Sequence, residues 1–444
     1  MSWYELLYQK YEHKFQKGYH QFVSQHIDLP WCFEEGFPEN KNLTWDLIFE
    51  NSQRPWNWSL LSQRDDLQWT HVEKHPELPW DWENLSRHQL VTWEIVSTHL
   101  DKPWNWEFLS SNRNITWIQV CNNCEQAWNW RGLSENPNIT WEIVKDNLEC
   151  HWNWECISKK PEITLEIIES HPNIPWDWVE LSFNKNIPWE KIERNLNTHS
   201  LCFLEWMTLG DNPRLTTEFL KSNIQAEWSW LKLSSLPIVT WEIILFRPME
   251  LWDFYFLGEN PNVTWEIVLN YPELPWNWDT LSENINMTWS IVYNNLDYPW
   301  NWSSLSRNPN ITWEIVSNHI DQPWDWVTLG DNVNITWEII QQNLDQPWNW
   351  NYLSSHDYIP WEFIEVHLDY DWSWYWVSGN DDITWEIINN YPHLPWNWES
   401  MSYNNMDKGK QKWIRQKIQK TLFQQLLQNN ILSEEVVRYI VSFV

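Results

Sequence analysis

Six cysteines are the residues best suited to chemistry in this 444-residue sequence, and four of them sit close together. Cys121-Asn-Asn-Cys124, Cys150-His151 and Cys156 occupy neighbouring stretches, and thiolate and imidazole ligands at such spacing could assemble a tetrahedral zinc site. The same positions have a plainer reading. Cys124 stands where Leu100 and Leu148 stand in adjoining stretches, so it reads as a small core hydrophobe, and Cys156 reads likewise beside a leucine slot. Cys32 and Cys202 are isolated. No disulfide, metal or cofactor is expected.

Other reactive groups follow a rhythm rather than a constellation. The 14 histidines are scattered, with His75, His99, His171 and His319 at turns where Asn or Tyr stands elsewhere. There is no nucleophile elbow, phosphate-cradling Gly loop, His-Glu-x-x-His pair or kinase signature, so no catalytic residue and no enzyme is expected. Asp and Glu number 61 against 29 Lys and Arg, a formal charge of −32. Much of it is a Glu that follows Trp at regular spacing: Glu94, Glu142, Glu266, Glu314, Glu338 and Glu386. Such a carboxylate suits a helix N-terminus and solubility, and repeated on a surface it would form a docking face for a basic partner. The same charge disfavours nucleic acid and anionic membrane.

What positions these groups is a 24-residue period. Thr-Trp-Glu-Ile recurs at Thr140–Ile143, Thr264–Ile267, Thr312–Ile315, Thr336–Ile339 and Thr384–Ile387, and Pro-Trp-(Asn/Asp)-Trp recurs at Pro79–Trp82, Pro103–Trp106, Pro275–Trp278, Pro323–Trp326 and Pro395–Trp398. A fixed period of this size marks stacked repeats. A degraded first unit is readable at Tyr19–Val23, and sixteen units run from about residue 19 to 405, with one extra residue between Phe33 and Trp45 and four near Asn197–Ser200. Of 48 ladder positions, 42 hold Trp, and the exceptions are His20, Phe33, Leu165, Leu204, Thr217 and Phe254, four of them apolar. That replacement pattern assigns most of the indoles to the core.

Thr140 is a helix N-cap, and Trp141, Val144 and Leu148 (i, i+3, i+7) predict an apolar stripe. Asn105 or Asp81 caps a second helix, short enough to be a single α or 3₁₀ turn. Gly numbers only 8, so Asn136, Asn138, Asn308 and Asn310 are expected to supply the turn conformations. The expected fold is an all-α, right-handed α-solenoid of about sixteen two-helix repeats. An N-terminal helical cap at 1–18, the solenoid at 19–405 and a basic helical C-terminal cap at 406–444 complete the organisation. A strand-based horseshoe is the alternative, disfavoured by spacing of three to four. The first residues lack a signal peptide's apolar stretch, no run reaches a membrane span, and the Asn-x-Thr/Ser triplets (Asn42, Asn114, Asn138, Asn262, Asn310, Asn334) are read as unglycosylated turns of an intracellular chain.

From Asp407 the charge inverts: Lys408, Lys410, Lys412, Arg415, Lys417 and Lys420 crowd one segment, with Trp413, Ile414 and Ile418 for packing. After it, Leu432, Val436, Ile440 and Phe443 lie on the apolar face of a helix capped by Ser433, a candidate partner-binding ridge or a cap for the last unit.

The repeat wording, Asn-Pro-Asn-Ile-Thr-Trp-Glu-Ile-Val followed by Pro-Trp-Asn-Trp-x-x-Leu-Ser, resembles Trp-rich repeat proteins of large and giant DNA viruses over nearly the whole chain. That family brings no established activity. The Leu-Ser-x-Asn-Pro phrase at Leu133–Pro137 also resembles the bacterial leucine-rich repeat variant, which stacks α and 3₁₀ helices but lacks the Trp ladder. Leu432–Val444 is similar to the opening helix of F-box motifs, with Ser433 where Pro belongs. The stacked repeats and the missing catalytic motifs point to a protein-interaction scaffold, and the viral resemblance implies that it acts in the cytoplasm of an infected host cell. One rival is a substrate adaptor that recruits a host ubiquitin-ligase subunit through the tail. The other, a carbohydrate-binding module, requires the first Trp of each Pro-Trp phrase to face solvent.

Overall fold

Each Thr-Trp phrase is too short for more than a turn and a half of helix, and that is what it forms. In the computed structural model, which describes residues 3–196, 203–246 and 252–428, first-phrase helices span Trp93–Thr98, Trp141–Asp146, Trp265–Asn270 and Trp313–Asn318. Thr92, Thr264 and Thr312 sit in extended backbone, and their hydroxyls accept from the N–H groups of Ile95, Ile267 and Ile315. The second phrase gives helices such as Trp106–Ser111 and Trp326–Leu329. Asn105 caps the first by accepting from Glu107 and Phe108, and Asp325 caps the second by accepting from Val327 and Thr328. The described residues hold 32 helices and no strand. The chain is a helical-repeat stack of the α-solenoid class, and the strand-based horseshoe is excluded.

One expectation is corrected here. The first helix ends at Asp146, so Leu148 lies beyond it and is 43% exposed, as Leu100 is 49% exposed; the apolar stripe stops at Val144. The turn asparagines act through the side chain: Asn136 has φ −61° and Asn308 φ −57°, both are fully buried, and their Oδ1 atoms accept from the N–H groups of Asn138 and Asn310. Among the described residues Met406, at φ 56°, is the one non-glycine residue in the left-handed region.

The chain forms two compact units, Trp82–Ile339 and a second that combines Met1–Asp81 with Ile340–Val444. Within Trp82–Ile339 consecutive repeats are joined by three recurring contacts. Ser86, Ser110 and Ser134 accept the N–H of Asn105, Asn129 and Asn153, nineteen residues on, at 2.9 Å, and donate their own hydroxyls to the carbonyls of Trp82, Trp106 and Trp130. Asn136 Nδ2 donates to the Ser110, Asn112 and Ile115 carbonyls of the preceding repeat at 2.9, 3.0 and 3.2 Å, while its Oδ1 accepts from Asn138 N at 2.8 Å. Asn260 and Asn308 repeat the pattern. Third, the second Trp of one phrase meets the first Trp of the next edge to face: Trp82–Trp104 at 5.0 Å, Trp106–Trp128 at 5.1 Å and Trp278–Trp300 at 5.2 Å. Between these runs a file of fully buried aliphatics, including Leu109, Ile115, Leu133, Ile139, Val144 and Ile157.

In the other unit the first repeat stacks on the last with the same three contacts. Cys32 N donates to Ser402 Oγ at 2.8 Å, Asn40 Nδ2 to the Ser402 and Asn404 carbonyls at 3.2 and 2.9 Å, and Trp31 meets Trp398 at 5.2 Å. One helix, Trp3–His26, runs without a break from residue 3 through the degraded first phrase at Tyr19–Val23. It buries Phe15, Tyr19, Phe22 and Val23, with Phe15 against Trp385 and Trp413. Trp413, Ile414 and Ile418 of the basic helix Asp407–Gln428 are buried in the same layer. The four-residue register break at 197–200 lies outside the described residues.

The seam and the internal joints should therefore be equivalent in strength. Asn136→Ala leaves carbonyls without a donor and should cost about 2–4 kcal/mol, read as a lower urea midpoint of the full chain. Asn40→Ala should lower it comparably. An Asn40→Ala midpoint equal to that of the parent would show that the first-to-last contact carries no stability.

Candidate partner-binding surface

With Trp, Ser and Asn directed inward, the outward positions are those that the joints leave unused. The residue after each first-helix Trp is one. Glu94, Glu142, Glu166, Glu190, Glu266 and Glu314 are all exposed, so the carboxylates form an interrupted column, consecutive at Glu142, Glu166 and Glu190 and broken at Ile118 and Ser290. Lys145 answers Glu142 at 2.6 Å and Lys221 answers Glu242, whereas Glu166, Glu266 and Glu314 have no ion pair among the described residues.

A second column was missed by helical spacing alone. Within Trp82–Ile339, Leu100, Leu148, Leu296 and Ile320 hold the same place just past the first helix and are 43–49% exposed; Leu368 holds it in a repeat of the other unit. The signal was available, because Pro76, Pro172, Pro272 and Pro392 fill that slot in other repeats, and Pro belongs to an exit turn rather than a helical stripe. Cys124 occupies it too and is exposed, which corrects its assignment to the core. Where both are present, as at Glu94/Leu100, Glu142/Leu148 and Glu314/Ile320, a six-residue helix separates carboxylate from aliphatic by about 9 Å.

Cys121 and Cys150 lie near enough to interact electrostatically, but the cysteines do not assemble into a three-ligand cluster among the described residues. Cys121 is exposed, Cys150 half-buried and Cys156 buried, with the Cys156 thiol 3.4 Å from Glu135 Oε1. Burial first, then the Glu135 carboxylate, pushes that thiol up to about 11. No group of three His, Cys, Asp or Glu that could hold a metal ion occurs among the described residues.

The indoles are not a sugar platform of the expected kind. The first Trp of the Pro-Trp phrase is the buried one, 5% exposed at Trp80 and 6% at Trp104, and its Nε1 donates five residues back, to the His75 and His99 carbonyls at 2.8 and 2.9 Å. That also explains the turn histidines, whose backbone rather than imidazole serves the indole. The premise of the carbohydrate reading fails at these residues.

One polar group is buried against its chemistry. Lys160 replaces Asn in the ladder, is only 8% exposed, and its Nζ donates to the Asn136 carbonyl at 2.9 Å. Burial holds its pKa below the usual lysine value. The expected partner-binding residues Leu432, Val436, Ile440 and Phe443 lie outside the described residues. Among the described residues, no helix is long and apolar enough to cross a membrane. Comparison with family models, curated proteins and solved structures finds no match.

Lys160→Asn should stabilise the chain by about 1 kcal/mol by restoring the ladder amide. The pH dependence has a definite sign. Below its lowered folded pKa the buried ammonium penalises the folded state; as pH rises from that value towards 10.5, the folded state sheds the proton first and stability climbs. Denaturation midpoints across this alkaline window should rise more in the parent than in Lys160→Asn; parallel profiles would remove Lys160 as the cause. Independently, Cys121 and Cys124 should react with a thiol reagent in the native chain, and Cys156 only on unfolding.

Proposed function

We propose that this chain is a non-enzymatic scaffold that holds protein partners along its stacked repeats. The supporting observation is the pair of outward slots, carboxylate and aliphatic, filled together in repeats such as Glu94/Leu100, Glu142/Leu148 and Glu314/Ile320 while the rest of each phrase is consumed by the joints. A basic segment with apolar side chains at matching intervals is the partner chemistry that such a surface favours. Net charge of −32 sharpens that preference and opposes polyanions. The resemblance to Trp-rich viral repeat proteins supports action in the cytoplasm of an infected cell. Recruitment of a host ubiquitin-ligase subunit would rest on the tail beyond residue 428, and the repeat surface argues for partner binding without it.

Because each exposed pair contributes about 0.5–1 kcal/mol, Glu142→Gln, Glu166→Gln and Glu190→Gln together should weaken a basic amphipathic peptide on the order of tenfold or more. Fluorescence anisotropy on the full chain would read this, and Leu148→Ser should add to the loss. Unchanged affinity in both variants would remove the columns as the docking face.

A further inference from the structure

Nine of this acidic chain's 29 Lys and Arg are gathered on two packed helices. The helices Trp3–His26 and Asp407–Gln428, which pack together through Tyr11–Trp413 and Phe15–Trp413 contacts, hold nine Lys or Arg against three Asp or Glu, in a molecule of net −32. Some are used internally. Lys410 pairs with Glu12 at 3.0 Å, Lys412 pairs with Glu362, and Lys417 with Glu386 at 3.3 Å. Lys408 donates to the Asp357 carbonyl. Lys10, Lys14, Lys17, Arg415 and Lys420 are exposed and have no carboxylate partner among the described residues. The ammonium groups of Lys10 and Lys14 stand 5.9 and 5.1 Å from the Tyr11 ring, which steers them without neutralising them.

We infer that this basic two-helix face docks the carboxylate column of a second copy of this chain. Two observations select that occupant. Charge complementarity is the first: the exposed carboxylates Glu142, Glu166 and Glu190 of three consecutive repeats form an array of opposite charge. Spacing is the second. Lys10 and Lys17 lie seven residues apart on one helix, about 10 Å along its axis, and Lys14 falls on the same face. Packed helix layers repeat every 8–10 Å, so successive column carboxylates match that interval. The inference rests on the column being a docking face and extends it to a partner already present. Two copies each of −32 repel at long range, so association should be strongest where salt screens the bulk charge and still leaves close pairs intact.

Sedimentation velocity of the full chain at ~20 µM tests this at roughly 0.15 M and 1 M salt. The expected result is association at the lower salt and monomer at the higher. Lys10→Glu, Lys14→Glu and Lys17→Glu combined should be monomeric at both, with an unchanged melting temperature and undiminished binding of a basic peptide. Glu142→Lys, Glu166→Lys and Glu190→Lys combined should lose both self-association and peptide binding, and mixing the two variants should restore a hetero-complex. That separates the two readings, since peptide binding survives only in the first variant. A parent chain that stays monomeric overturns the inference. So does association that the lysine variant leaves intact, or an oligonucleotide that takes the basic face of a chain that remains monomeric.

Discussion

A carboxamide inserted between repeats is the contact on which the stack depends. The end of every second helix leaves backbone carbonyls pointing into a layer where water has no access, and a buried acceptor without a donor costs about 1–3 kcal/mol. Asn136 answers three such carbonyls with one Nδ2 and turns its Oδ1 to the N–H of Asn138, so that it closes its own turn and the preceding repeat in the same step. No other side chain combines both functions at this size. At two slots where Asn is absent a longer donor takes over: Arg64 donates to the carbonyls of Pro38, Asn40 and Leu43, and Lys160 reaches the carbonyl of Asn136, whereas Leu236 fills the slot without a side-chain donor. The ionised replacements carry the desolvation penalty that Asn avoids.

Tryptophan fills the space that this bond fixes. An indole offers a large apolar face and one N–H, and the repeat uses both: Trp104 is buried against Trp82, while its Nε1 closes the exit turn on the His99 carbonyl. Ser supplies the third tie, accepting from one repeat and donating within its own. A hydrophobic interface alone would tolerate slippage between similar layers. Polar partners at fixed offsets of nineteen and twenty-four residues do not, because a shifted register buries unsatisfied groups. Identical joints also explain why the first repeat fits the last: Cys32 and Asn40 meet Ser402 and Asn404 with bonds whose donors and acceptors lie 362 residues or more apart.

How much of this could be read from the sequence follows from where each partner lies. The caps were legible because Thr92 and Asn105 act on residues two or three positions on. The Trp core was legible because Leu, Phe and Thr replace indoles without breaking the period. Leu148 misled because periodicity counts apolar residues without knowing where a helix stops, and the helix ends at Asp146. Asn136 was legible only in part. Its Oδ1 closes its own turn on Asn138, as a turn asparagine should, yet its other partners, Ser110 and Asn112, belong to another repeat, and one phrase in isolation does not show them. The stacking of Trp31 on Trp398 lies further still from any local pattern.

Inward and outward positions consequently carry different kinds of information. Ser and Asn recur because a change at either strands a backbone group, and Gly258, one of the few replacements for Ser, sits so close to Thr280 that no side chain would fit. The slot after the first-helix Trp is under no such constraint: it holds Glu94, then Ile118, then Glu142, and later Ser290. Ile118 is 72% exposed, so no packing demand explains it. Charge at that slot can be written or erased one repeat at a time without cost to the joints, which makes the outer column a pattern rather than a uniform stripe. Recognition built on such a surface would read the order of carboxylates and gaps, with the buried amides serving to hold the letters at constant spacing.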